Sequence, residues 1–184
     1  MAKYSHRLNA FKPTLTWEVT KGGLVWSDEK DGAGEIPWGK IKSVRLRAEP
    51  SRAETRRVVL HVYTPIDHPI SNIHYKGPMN FHAQKDEFRS FVLAFHKAFP
   101  KGTETIFHKG ATRGAYIANA LITLGVLAFL FLLAPLLALT GIPSAGSIVR
   151  IIIIILFVPI LLSMLVKDKP DTYEPDEVPL SLLG

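Results

Sequence analysis

The stretch Gly114–Val149, GAYIANALITLGVLAFLFLLAPLLALTGIPSAGSIV, holds no Asp, Glu, Lys or Arg, and beyond Arg150 an apolar run continues to Val166. A bilayer core of about 30 Å takes about 20 residues at a rise of about 1.5 Å each, so one helix over the whole run would be too long. The turn formers Gly141, Ile142, Pro143, Ser144, Ala145, Gly146 and Ser147 break it. The pattern therefore predicts two transmembrane helices, 115–140 and 148–166, each with an internal proline, Pro135 and Pro159, that would kink it. More than a hundred residues of largely polar chain precede the run, which excludes a signal peptide.

Outward from this hairpin, charge sets the expected topology. Residues 1 to 113 carry 19 Lys and Arg against 11 Asp and Glu, a balance of +8; the tail from Lys167 carries 2 against 5, or −3, and Arg150 adds +1, which together give the net +6. Lys97, Lys101, Lys109 and Arg113 precede the first helix, and Lys167 and Lys169 follow the second. By the positive-inside rule both termini are expected in the cytoplasm. Within the hairpin, Asn119, Ala134, Ala138 and Arg150 are the candidate packing residues: a buried amide favours an interhelical hydrogen bond, and small residues let helices approach. There is no cysteine, so disulfides, thiolate chemistry and cysteine zinc sites are excluded.

Upstream lies one soluble domain. Residues 1–13 are basic and irregular, with Lys3, Arg7 and Lys12. Thr14–Thr20 alternates apolar Leu15, Trp17 and Val19 with polar neighbours, and Lys21, Gly22 and Gly23 turn the chain into a second strand, Leu24–Ser27. Further strands are expected at 41–48, 57–63 and 70–75. Phe88, Phe91, Val92, Phe95 and Phe99 form one apolar helical stripe that Pro100, Lys101 and Gly102 stop. The expected organisation is an N-terminal segment 1–13, a domain 14–103, a linker 104–114, the hairpin 115–166 and a Pro-rich acidic tail 167–184.

Three groups of residues carry a resemblance over nearly the whole chain. They are the strand pair Thr14 to Ser27 leading to Ile36, Pro37 and Trp38; the helix Phe88 to Pro100 with Phe95 and His96; and the tail residues Lys169, Pro170, Tyr173, Glu174, Pro175, Val178, Pro179, Leu182 and Leu183. With its order of elements, the chain resembles a pleckstrin-homology-like domain followed by a membrane hairpin, as in a group of uncharacterised alphaproteobacterial inner-membrane proteins. Lys169, Glu174 and Gly184 stand where that group has Arg, Asp and Pro. The resemblance implies an α+β fold, an antiparallel barrel capped by one amphipathic helix. The lipid-binding pleckstrin-homology domains use a long basic loop between their first two strands, and here that connection is Lys21, Gly22 and Gly23.

Function is then expected from a binding surface. Arg45, Arg47, Arg56 and Arg57 are the candidate lipid-binding residues, since they would form a basic face attracting anionic headgroups. Tyr173, Pro175, Leu182 and Leu183 are the candidate tail-docking residues. His61, His68, His74 and His82 with Asp67 match no metal-ligand spacing, and no nucleophile elbow or phosphate loop is present, so neither a catalytic residue, a metal nor a cofactor is expected. Nor does a nucleic-acid motif accompany the basic charge. The expectation is a non-enzymatic membrane-anchored adaptor or accessory subunit whose partners are membrane lipids and other membrane protein subunits or a second copy of itself, with an anionic-lipid-sensing module as the alternative.

Overall fold

The computed structural model describes residues 2–49, 57–78, 80–138, 158–159, 166 and 168–183, within 130–138 by backbone alone. The chain divides into two compact units, Met1–Gly110 together with Asp171–Gly184, and Ala111–Pro170.

The first unit is α+β. Strands β1 (Lys3–His6), β2 (Leu15–Val19), β3 (Gly23–Asp28) and β4 (Ala33–Pro37) form an antiparallel sheet in sequential order. The turn into β3 demands glycine: a Cβ on Gly23 would stand 2.8 Å from backbone atoms of Ile36 and Pro37 on the paired strand. The second sheet has the order β11-β10-β5-β6-β7, where β5 is Ser43–Ala48, β6 Val58–Tyr63, β7 Asp67–Ser71, β10 Ile106–Lys109 and β11 Asp171–Thr172. In it β10 runs parallel to β5. A third ladder joins β8 (Ile73–Gly77) to β9 (Asn80–Ala83).

These sheets do not close into a barrel, which corrects the expected architecture. β4 ends at Pro37, which has no N–H to donate, and a 3-10 turn at Trp38–Lys40 carries the chain away before β5 starts. β1 and β4 therefore remain edges of one sheet, and β7 and β11 of the other. Helix α1 (Lys85–Ala98) supplies the central apolar surface, and Phe88, Phe91, Val92, Phe95 and Phe99 of its stripe are all at most 5% exposed. They pack with Trp17, Leu24, Val44, Leu46, Leu60, Val62 and Ile70 from the strands in one core. Trp38 lies edge-on to Phe95 and Phe99 and donates from its indole nitrogen to the Lys21 carbonyl at 3.0 Å.

In the second unit, α2 spans Arg113–Ala138. Among the described residues no helix is long and apolar enough to cross a membrane. This contradicts the expected transmembrane helices as far as the residues are described. Arg113, Tyr116 and Asn119 occupy the first turns of α2. The expected helix 148–166, the break at 141–147, Arg150 and the side chains of Ala134 and Ala138 lie outside the described residues, and Asn119 is exposed.

Candidate binding site

The arginines expected to form a basic face are held in a mixed-charge network. Arg45 lies opposite His61 in the β5–β6 ladder and donates to the Gly110 carbonyl at 3.2 Å. Arg47 reaches Glu49 at 3.5 Å, and Glu49 also accepts from His61 Nε2 at 3.0 Å. The other imidazole nitrogen, Nδ1, contacts Asp67 at 2.9 Å. Burial pushes His61 toward neutrality, but the bonds to Glu49 and Asp67 outweigh it and hold its pKa above the ordinary histidine value. The His61 bond likewise holds Glu49 below the usual carboxylate range. Two carboxylates thus offset the guanidinium charge, and Arg56 lies outside the described residues. Arg57 Nε is buried without a hydrogen-bond partner among the described residues.

His68, His74 and His82 do not converge with His61. His74 faces His82 across the β8–β9 ladder, while His68 sits on β7. Among the described residues no group of three or more His, Asp or Glu is placed to hold a metal ion.

The tail residues sit on the domain. Tyr173 donates its backbone N–H to Phe107 and its hydroxyl contacts His96 Nε2 at 2.9 Å. His96 Nδ1 lies 2.7 Å from the Val92 carbonyl, which can only accept, so Nδ1 carries the proton and Nε2 accepts from Tyr173. Leu183 is buried in the core, Leu182 and Val178 pack against it, and Pro175 is half-buried. Two lysines reinforce this placement, Lys101 with Asp176 at 2.8 Å and Lys109 with Asp171 at 3.1 Å.

A pocket of about 320 Å³ opens where the first sheet meets the β6–β7 turn. Leu15, Trp17 and Trp26 line it from β2 and β3, Ile66 from the turn, Asp67 and His68 from β7, Lys12 from the loop after β1 and His6 from β1. His6 and Trp17 are diagonal neighbours on one face of the β1–β2 ladder, since His6 pairs with Leu15 and Tyr4 with Trp17. They are 0% and 2% exposed, yet both ring nitrogens of His6 and the indole nitrogen of Trp17 lack hydrogen-bond partners. Burial, aided by the charges of His74 and Arg57, lowers the His6 pKa to about 3, so its ring is neutral at physiological pH.

Beside the pocket, the loop from Arg7 to Pro13 is tied by its own residues. The Arg7 guanidinium donates to the carbonyls of Lys12 and Ala10, each at 2.9 Å. Asn9 Oδ1 accepts from the backbone N–H groups of Phe11 and Lys12. At the tip Phe11 is 96% exposed, and Ile66 on the pocket rim is 65% exposed.

Reading 1–13 as irregular hid both features. The alternation of Tyr4 and His6 around Ser5 is the signal for β1, but four residues are too few to stand out. Comparison of the chain with known protein families, curated proteins and solved structures gives no match.

Proposed function

We propose that the β-rich unit is a non-enzymatic binding module, an adaptor or accessory subunit, that docks on a protein partner through Phe11. The observation that carries this reading is an aromatic side chain held almost wholly in solvent by a loop stiffened with four hydrogen bonds. Exposing a phenyl ring without a partner gains nothing from the hydrophobic effect, whereas a pre-ordered aromatic anchor binds without the entropic cost of ordering a loop. Such residues dominate protein interfaces when they enter a pocket on the partner.

Charge gives the partner its chemistry. Residues 1–13 contain Lys3, Arg7 and Lys12 and no acid, so an apolar cleft with an acidic rim complements this surface. The network around His61 supports the anionic-lipid alternative less well, because Glu49 and Asp67 stand among its arginines.

The test places the photo-crosslinking analogue benzoyl-phenylalanine at position 11 of the full chain in its native cell. A discrete protein adduct, reduced when Ile66 is also replaced by Ser, is the expected result. Crosslinking to lipid alone, or no adduct, would overturn the proposal.

A further inference from the structure

We infer that the partner on which Phe11 docks is a second copy of this chain, each copy seating its Phe11 in the other's pocket between the first sheet and the β6–β7 turn. This rests on the reading of Phe11 as a protein-docking residue and adds what it docks on.

The projecting ring and the cavity lie side by side on one surface. The loop bonds of Arg7 and Asn9 hold Phe11 96% exposed, yet Lys12 and Pro13, the next two residues, line the pocket. The chain therefore carries a largely apolar cavity of about 320 Å³ beside a phenyl ring that its own loop keeps out of it. Such a surface is self-complementary: a two-fold axis seats both rings at once and closes the assembly at two copies.

The walls suit a ring that needs no hydrogen bond. Leu8, Leu15 and Trp26 are half-buried and Ile66 is 65% exposed, so all four present apolar surface to an entering side chain, and Trp26 adds an aromatic face or edge. His6 and Trp17, 0% and 2% exposed, are closed to an entering group and take no part. An aromatic side chain buries about 150–250 Å², so two rings and the walls that receive them bury about 600–1,000 Å², less than the about 1,200 Å² at which standard interfaces begin. The dimer is accordingly weak and reversible.

Charge orients the pairing. Lys12 borders the pocket from the loop and Asp67 from β7. Asp67 meets His61 Nδ1 at 2.9 Å, yet its side chain is 40% exposed, so the carboxylate still faces solvent. Lys12 follows Phe11 directly, so a ring that enters the second copy's pocket brings a lysine to its rim. Approach on the β7 side sets Lys12 of each copy against Asp67 of the other, whereas approach on the loop side would set lysine against lysine.

Covalent trapping suits a weak contact. Two differently tagged copies of the full chain are expressed together in the native cell, one with benzoyl-phenylalanine at position 11, and irradiated. The expected product has the mass of two chains, carries both tags and yields a peptide in which position 11 is joined to the segment holding Trp26 or Ile66. Asp67→Lys in the receiving copy should lower the yield at least about fivefold, and Lys12→Asp in the copy bearing the crosslinker should restore it, a rescue that a misfolded variant cannot show. An adduct only with a different protein would overturn the dimer and leave the adaptor reading standing. Crosslinking to lipid alone, or no adduct, would overturn both. A doubly tagged adduct joined outside the pocket, for example at the exposed apolar side chains of α2, would overturn the dimer, as would a yield unmoved by Asp67→Lys.

Discussion

Replacing Tyr173 by Phe removes one hydroxyl and leaves His96 Nε2 buried without its donor. His96 is 3% exposed, so water cannot replace the bond, and the loss is about 1–2 kcal/mol. For a unit of this size that lowers the melting temperature by about 4–8 °C. The effect has a pH signature. Burial lowers the His96 pKa from 6.5 to about 4, with the Val92 carbonyl opposing it. The folded state therefore resists a proton that the unfolded chain accepts: the neutral ring's contribution is intact above pH 6.5 and is lost as pH falls toward 4. A shift of this size corresponds to about 3 kcal/mol over that window. Below about pH 4 the protonated Nε2 instead donates to the Tyr173 hydroxyl oxygen, and Tyr173→Phe leaves a buried cationic donor without a partner, so the variant should remain the less stable there too. Urea unfolding followed by near-ultraviolet circular dichroism, at pH 7 and at pH 4, measures both differences. Equal stability of the wild type and Tyr173→Phe at pH 7 would refute the His96–Tyr173 bond and with it the tail latch.

Two further outcomes follow from the same structure. His61 behaves in the opposite sense to His96: its pKa is raised above 6.5 by Glu49 and Asp67, so its contribution is full below that value and is lost as pH rises through the folded-state pKa. His61→Gln should lower the urea midpoint at pH 6 more than at pH 9, so that the difference between the two pH values shrinks. Gly23→Ala forces a Cβ against the Ile36 and Pro37 backbone, which cannot give way as a flexible side chain would, and should cost at least about 2 kcal/mol by thermal unfolding.

The parts of the fold that were legible in the sequence are those governed by local periodicity. The Phe88 to Phe99 stripe repeats at helical spacing, and all five of its residues are buried, because one amphipathic face must find the core whatever the topology. The strands near 15–19, 43–48 and 58–63 likewise alternate. Where a partner distant in sequence decides, the pattern fails. The run 70–75 reads as one strand, but Asn72 interrupts it: its side chain accepts from Val58 N–H at 2.8 Å, its own N–H donates to the Val58 carbonyl, and β7 and β8 separate there. The segment 104–114 reads as a linker, yet Ile106–Lys109 is a parallel strand in the middle of the larger sheet. Four residues next to a Gly and two Thr carry no visible period. Closure of a barrel is still less local, since it depends on whether β4 meets β5, which no single stretch encodes. The pocket depends on three chain segments meeting and had no sequence signature beyond the aromatic residues themselves.

His6 and His96 differ in how the fold satisfies a buried imidazole. Both rings are almost fully buried, and burial keeps both neutral well below the ordinary histidine range. At His96 the chain satisfies each nitrogen, one with the Val92 carbonyl four residues earlier and one with a tyrosine from the far end of the sequence. At His6 it satisfies neither, and the adjacent Trp17 nitrogen is left in the same condition. Each such unmatched group costs about 1–3 kcal/mol, a large share of the 5–15 kcal/mol that holds a typical domain together. Replacing His6 by Phe, an apolar residue of similar volume, removes both unmatched nitrogens and should therefore stabilise the domain, read as a higher urea midpoint at pH 7. A His6→Phe variant less stable than the wild type would show that the His6 nitrogens find partners in the folded protein in solution.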